Sequence, residues 1–203
     1  MRIAVLGASG RVGGLLVDQA SEQGHRVVAL VRVPDRFTRP ASRQVEVRQA
    51  DVTSPQDFPA LDDIDVVVSA IGVRKGDGPG ALVAGARVLA ARGVPTVWLG
   101  ALGSGASTGA GGLLYQAIMR MAVGKELAEK AEADQIALQA GATVVHAPDL
   151  GNGPISPRRG VVPLADYRRP LLPPRISRAT VAALMLDEAE SGGRNGEIVV
   201  PHL

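Results

Sequence analysis

Cysteine is absent from the 203-residue sequence, aromatic residues make up only 2% of it, and there are three histidines. Without cysteine there is no disulfide, no thiolate nucleophile and no thiolate-bound metal. His25, His146 and His202 stand far apart, and their spacing matches no metal-binding pattern. So few aromatics leave the core to Val, Leu, Ile and Ala, and a chain that is 46% hydrophobic has enough of them. Charge of either sign is scarcely in excess: 22 Lys and Arg against 20 Asp and Glu, net +2, too small a surplus to argue for a nucleic-acid partner. No apolar run is long enough to span a bilayer. The first apolar run begins so early that no signal peptide is expected. These absences lead us to expect a cytoplasmic protein, folded as one domain over residues 1–203, that acts on a small molecule as a monomer or small homo-oligomer, without nucleic-acid or membrane partners.

Glycine, by contrast, is abundant, and its placement near the N-terminus is specific. Ile3-Ala4-Val5-Leu6 is an apolar run that reads as a buried parallel strand. Val12, Leu15, Leu16 and Ala20 then recur at helical spacing, so Gly7-Ala8-Ser9-Gly10-Arg11-Val12-Gly13 lies on a strand-to-helix turn. The first amides of a helix lack intrahelical partners, and the helix dipole adds positive character there, so a pyrophosphate is welcome if no side chain obstructs it. In this reading Gly7 makes the tight turn, Gly10 clears the phosphates and Gly13 lets the helix pack on the strand. Ser9, Arg11 and Val12 border the same turn. A strand before, a helix after and a second strand about 20 residues on make this a dinucleotide site rather than a glycine-rich turn.

That second strand is Arg26–Val31, and its end bears on the cofactor. Many NAD sites carry Asp or Glu there for the ribose 2′-hydroxyl. Here Arg32 stands 19 residues beyond Gly13, with Arg36 close behind. A guanidinium binds a 2′-phosphate through paired hydrogen bonds, which favours NADP(H); the other reading makes Arg32 a solvated loop residue and gives the ribose to Asp35. Gln44–Gln49 alternates and reads as a half-exposed edge strand, after which Asp51 and Val52 either approach an adenine or simply close a turn.

Further along, Asp65–Ala70 is a central apolar strand ending in Ala70-Ile71-Gly72, small residues where ligands of open α/β sheets bind. Gly76–Gly80 leads into a helix reaching about Arg92. A strand at 95–99 follows, then the small-residue loop 100–108. Residues 113–140 read as one long helical region with a possible break at Gly124. Its apolar stripes are Leu114, Ala117, Ile118 and Met121, then Ala128, Ala131, Gln135 and Leu138, with Glu126 and Lys130 spaced for a helical ion pair. A strand at 142–146 is followed by a substrate-side loop layer over 147–175, containing a short strand at Val161-Val162. Ser177 should cap a last helix running to about Glu190, and 197–200 is a terminal strand. Alternating strands and helices predict a Rossmann-like doubly wound parallel sheet with helices on both faces, of order 3-2-1-4-5-6 and a seventh strand at the edge.

Four stretches together resemble the atypical short-chain dehydrogenase group of NAD(P)H-binding proteins that includes biliverdin-IXβ and flavin reductases. They are Gly7–Gly13; Ala29-Leu30-Val31-Arg32; Lys130-Ala131-Glu132 with Gly141 and Pro148-Asp149-Leu150; and Ile176–Ala182. The resemblance implies NADP(H) and hydride transfer to a flavin, quinone or other conjugated acceptor. It also admits a non-catalytic NADP(H)-binding sensor, or an NAD(P)-dependent epimerase or dehydratase. The Tyr-x-x-x-Lys pair of typical short-chain dehydrogenases is missing, since Tyr115 is followed four residues later by Met119. Ala147 stands where relatives often have Arg before the proline. Hydride transfer needs chiefly a pocket that positions the acceptor, with a proton from a side chain or water. The catalytic candidates are Ser104, after the fifth strand, and Tyr115, on the following helix; each can equally be a solvent-facing or a packed residue. His146 reads as either a structural or a catalytic histidine, and Lys125 and Lys130 read as helix-surface partners.

Overall fold

The computed structural model describes residues 1–38, 44–72, 79–168, 170 and 173–202, and for 113–115 and 118–125 the backbone alone. Each apolar run becomes a strand: β1 (Arg2–Leu6), β2 (Arg26–Val31), β3 (Val45–Gln49), β4 (Val66–Ser69), β5 (Thr96–Ala101) and β6 (Thr143–Ala147). Helices α1 (Arg11–Glu22), α2 (Ala81–Arg92), α3 (Leu113–Gln139) and α4 (Arg178–Glu190) alternate with them, and three short strands, β7 (Leu150–Gly151), β8 (Gly160–Pro163) and β9 (Ile176–Ser177), precede α4. The chain ends in β10 (Ile198–His202). The main sheet runs β3-β2-β1-β4-β5-β6-β10-β8, so the first six strands take the expected Rossmann order.

The sheet edge, residues 147–175 and the long helix differ from the sequence reading. The terminal strand is not the edge: β10 lies parallel to β6, and β8 pairs antiparallel outside it, Val200 opposite Val162. Pro163, which has no N–H to donate, suits that outer position. Residues 147–175 are therefore more than loop, since β7 also pairs with β9 in a separate two-stranded sheet. The long helix α3 is continuous over 27 residues, through Gly124.

Because the sheet is covered on both sides, successive residues of each strand feed opposite cores. Ile3 and Val5 pack with Leu16, Val181 and Met185 on the α1 and α4 face. Ala4 and Leu6 pack with Leu82, Leu89, Trp98 and Ala133 on the α2 and α3 face. Burying each such aliphatic side chain contributes about 1.5–3 kcal/mol. The α3 face differs from the expected stripe: Ala133, Asp134 and Ala137 are buried, whereas Ala128 and Gln135 are exposed. A carboxylate in the middle of the buried face hid the true phase of the helix. Two helix starts show how the site end of the sheet is held. Ser177 caps α4 by accepting from the Thr180 N–H at 3.0 Å, as expected. Gly80, at φ +96°, offers α2 no side-chain cap; Glu129 of α3 supplies it, accepting from the Leu82 N–H at 2.9 Å.

At the first turn, a Cβ on Gly13 would run into the Gly7 carbonyl oxygen. Replacing Gly13 with Ala should therefore push α1 off β1 and lower stability by about 1–3 kcal/mol, as overpacking does. A urea midpoint equal to that of the wild type would show that the turn has slack.

Candidate functional site

The glycine turn is built as the motif requires. Gly7 adopts φ +81°, and a Cβ there would stand 2.8 Å from the Ala70 carbonyl oxygen, so the turn rests directly on the end of β4. Gly10 is the N-cap of α1 without a side-chain cap, and the first turn carries no acidic residue. The leading amides of α1 are thus left for a ligand, at the positive end of the helix dipole. A Cβ on Gly10 would have one protein contact, the Gly7 carbonyl oxygen at 3.1 Å.

Over this turn lies a cleft of about 680 Å³ along the carboxyl ends of the strands. Its wall follows the sheet order: Arg32 after β2, Asp51 and Val52 after β3, Gly7, Ser9, Gly10, Arg11 and Val12 after β1, and Ala70, Ile71 and Gly72 after β4. Gly100 and Ala101 of β5, Pro148 and Leu150 beyond β6, and Lys130 and Asp134 of α3 complete it. Gly13 lies beneath the turn. Arg36 is exposed on the short turn Pro34–Arg36 that follows β2 and is not among the residues of the cleft wall. Asp51 makes the turn of one of its sequence readings and also has a place on the cleft wall. Its Oδ1 accepts from the Thr53 N–H at 2.9 Å and the Thr53 hydroxyl at 2.7 Å. Those bonds, then the charge of Arg32, hold its carboxyl below the usual range.

The catalytic candidates fall differently. Ser104 is buried behind the wall, its hydroxyl 2.8 Å from the Ala101 carbonyl oxygen and 3.1 Å from Asp134 Oδ2. Both of those partners, Ala101 and Asp134, belong to the cleft wall, whereas Ser104 does not. The Tyr115 side chain lies outside the described residues, as does the loop Gly76–Gly78. His146 is fully buried against Asp134, their Nε2 and Oδ2 atoms 3.1 Å apart. Sequence reasoning missed the pocket role of Lys130 and missed Asp134 altogether. Their four-residue spacing on a helix that follows β5 was the available signal, since it sets both on one face.

Among the described residues no group of His, Cys, Asp and Glu could hold a metal ion, and no helix is long and apolar enough to cross a membrane. A model of the NAD(P)H-binding family matches residues 7–191. The chain belongs to this family. The glycine turn fits the dinucleotide such a family binds, for α1 starts there without a side-chain cap and a Gly10 side chain would fill the space beside it. Solved structures share the NAD(P)-binding Rossmann fold. The oxidoreductase ylbE from Lactococcus lactis is 19% identical with a TM-score of 0.77, covering 100% of this chain and 90% of that one. ChuY, an anaerobilin reductase from Escherichia coli O157:H7, is 19% identical with a TM-score of 0.75, covering 99% of this chain and 96% of that one. A curated relative, the photosystem II assembly factor Ycf39 of Synechocystis, is 35% identical over 78 residues, 38% of this chain but only 24% of that longer protein.

Gly10 has an extended backbone, φ −82° and ψ 173°, which a β-branched residue also adopts. Gly10→Val should therefore leave the fold intact and weaken NADPH binding by roughly 10-fold or more, its methyls standing where the pyrophosphate must lie. Undiminished binding by the folded variant would move the site elsewhere. At Asp51, Thr53→Val should raise the carboxyl toward its ordinary value. Because that carboxyl is held low in the folded state, its contribution to stability is present above the unfolded value of 3.8 and lost as pH falls through the folded one. Carboxyl carbon NMR titration of both proteins checks the shift.

Proposed function

We propose that this chain is an NADPH-dependent oxidoreductase that reduces a conjugated small molecule such as a flavin, a quinone or a tetrapyrrole. The observation that carries the reading is the shape of the cleft. It follows six strand ends, spaced about 4.8 Å apart, from Asp51 beyond β3 to Leu150 beyond β6. The phosphate turn occupies the middle. The far end, walled by Ile71, Trp98, Leu99 and Leu150, is apolar apart from Lys130 and Asp134, and it suits a flat conjugated acceptor laid against the nicotinamide. When bound, the cofactor supplies the hydride. The residues of the chain orient the two partners, exclude water and manage the accompanying proton. The tetrapyrrole class draws support from the likeness to the anaerobilin reductase.

Preference for NADP(H) over NAD(H) is supported by the end of β2. Both Arg32 and Asp35, the other candidate for the ribose, are exposed, but of the two it is Arg32 that lines the cleft. Arg11, at the start of α1, adds a second guanidinium to the wall. A 2′-phosphate gains a charge-assisted hydrogen bond from Arg32 that a 2′-hydroxyl does not match.

Arg32→Asp should weaken NADPH binding by about 1.5–3 kcal/mol, roughly 10-fold to 150-fold, and spare NADH. Calorimetric titration with both cofactors measures it; equal wild-type affinities that the substitution leaves unchanged would remove the argument for NADP(H). Activity is tested by NADPH oxidation with FMN, menadione and biliverdin. Tight cofactor binding with no acceptor consumed would favour an NADP(H)-binding sensor over the enzyme.

A further inference from the structure

We infer that the acceptor carries an anionic group, a carboxylate or a phosphate, and that Lys130 binds it; this rests on the reductase reading above. Lys130 stands half-buried on the cleft wall, on the helix that faces β5 and β6. Among the described residues, no hydrogen bond or ion pair involves its side chain. An ammonium partly withdrawn from water without a counter-charge is unfavourable, and a bound anion offsets that cost.

The carboxylates on its own helix are engaged elsewhere or turned to solvent. Glu126, one helical turn before it, is exposed, and the ion pair that their spacing suggests does not form. Glu129 accepts from the Leu82 N–H at the start of α2, and Glu132 pairs with Arg87 on the exposed surface. Asp134, one turn beyond Lys130, accepts from the Trp98 indole N–H at 2.9 Å, and Ser104 Oγ and His146 Nε2 each lie 3.1 Å from its other oxygen. The arginines that follow Leu150 in the fold are committed too. Arg175 pairs with Asp149 at 2.8 Å, and Arg178 donates to the Gly151 carbonyl at 2.9 Å and to Asn152 Oδ1 at 3.0 Å. Among the described residues, Lys130 is the charge left for a ligand at this end of the cleft.

The cofactor does not call for this charge. The negative groups of a dinucleotide are its phosphates, and the uncapped start of α1, Arg11 and Arg32 answer them at the β1–β3 end. Beyond its phosphates a reduced nicotinamide nucleoside is neutral, and its ring turns cationic once the hydride has left. An ammonium at that end therefore finds no opposite charge in the cofactor.

Its setting suits an acidic substituent on a conjugated ring system. Ile71, Trp98, Leu99 and Leu150 make this end of the cleft apolar, so a charge pair formed there is screened less than one at the open surface. The ring system lies against the apolar wall while its substituent reaches Lys130. Carboxylate and phosphate offer the ammonium the same chemistry, charged oxygens that accept from its three N–H donors.

The test measures ligand binding to the full chain saturated with NADP+, which fills the cofactor site without consuming the acceptor. Two pairs of ligands differ only in the anionic group: FMN against riboflavin for phosphate, and biliverdin against its dimethyl ester for carboxylate. Wild type should bind the charged member of at least one pair roughly 10-fold to 100-fold more tightly, less so as salt is raised. Lys130→Met should erase that preference and keep NADPH within about twofold of the wild-type affinity, whereas Lys130→Arg should retain the preference. Methionine suits a helix and the substitution breaks no existing bond, so the urea midpoint should stay unchanged. Equal affinities within both pairs, or a preference that survives Lys130→Met, would overturn the anionic acceptor alone. A Lys130→Met protein that loses NADPH affinity would give the ammonium to the cofactor and overturn it equally. If neither pair binds, the anionic acceptor falls, and reduction of the uncharged menadione would leave the reductase reading standing. A charged ligand that binds through Lys130 without any NADPH oxidation would overturn the reductase reading and leave the anion site in place.

Discussion

Close backbone contact at the first turn is the constraint on which the rest depends. Gly7 rests on the Ala70 carbonyl, and Gly13 rests on the Gly7 carbonyl, with no room for a Cβ at either contact. These approaches draw α1 against the ends of β1 and β4 and aim its leading amides along the carboxyl edge of the sheet. The parallel strands beside them then present their own carboxyl ends to the same cleft. The shape of the cleft is thus a consequence of how tightly one helix can approach two strands.

A second close approach governs the other end of the cleft. Gly100 of β5 lets His146 of β6 and Asp134 of α3 meet in the interior. A buried carboxylate is costly unless donors surround it, and removing one partner leaves a polar group stranded. Trp98, His146 and Ser104 meet that demand, so the sole tryptophan of the chain, its one fully buried histidine and a loop serine are tied to one oxygen pair. The residues that stabilise α3 against the sheet are also those that shape the cleft floor.

Local pattern made much of the fold legible. Unbroken apolar runs announced parallel strands, and the order of the first six followed from the glycine turn and the alternation with helices. The phosphate turn, Arg32 and the small residues 70–72 were legible for the same reason: each is defined by position within one strand–loop unit. The edge of the sheet was not. Which of two short strands lies outside depends on a pairing between residues 160–163 and 199–202, distant in sequence. Ser104 was read as the polar group at the site, but its neighbour across the fold, Asp134, occupies the wall in front of it. Arg36 read as a companion of Arg32, but of the two it is Arg32 that stands on the cleft wall.

By itself, then, the sequence determined the class of sheet, the place of the glycine turn and the charge offered at the end of β2, because period, glycine spacing and strand ends are properties of contiguous residues. Only the tertiary structure decided which side chains share the cleft beyond β4. Lys130 and Asp134 look like two more charges on a polar helix until α3 is laid over β5 and β6. The buried face of that helix is set by what it packs against, and a carboxylate enters it where donors from three other segments converge. That convergence joins residues 98, 104, 134 and 146, and no local pattern encodes it.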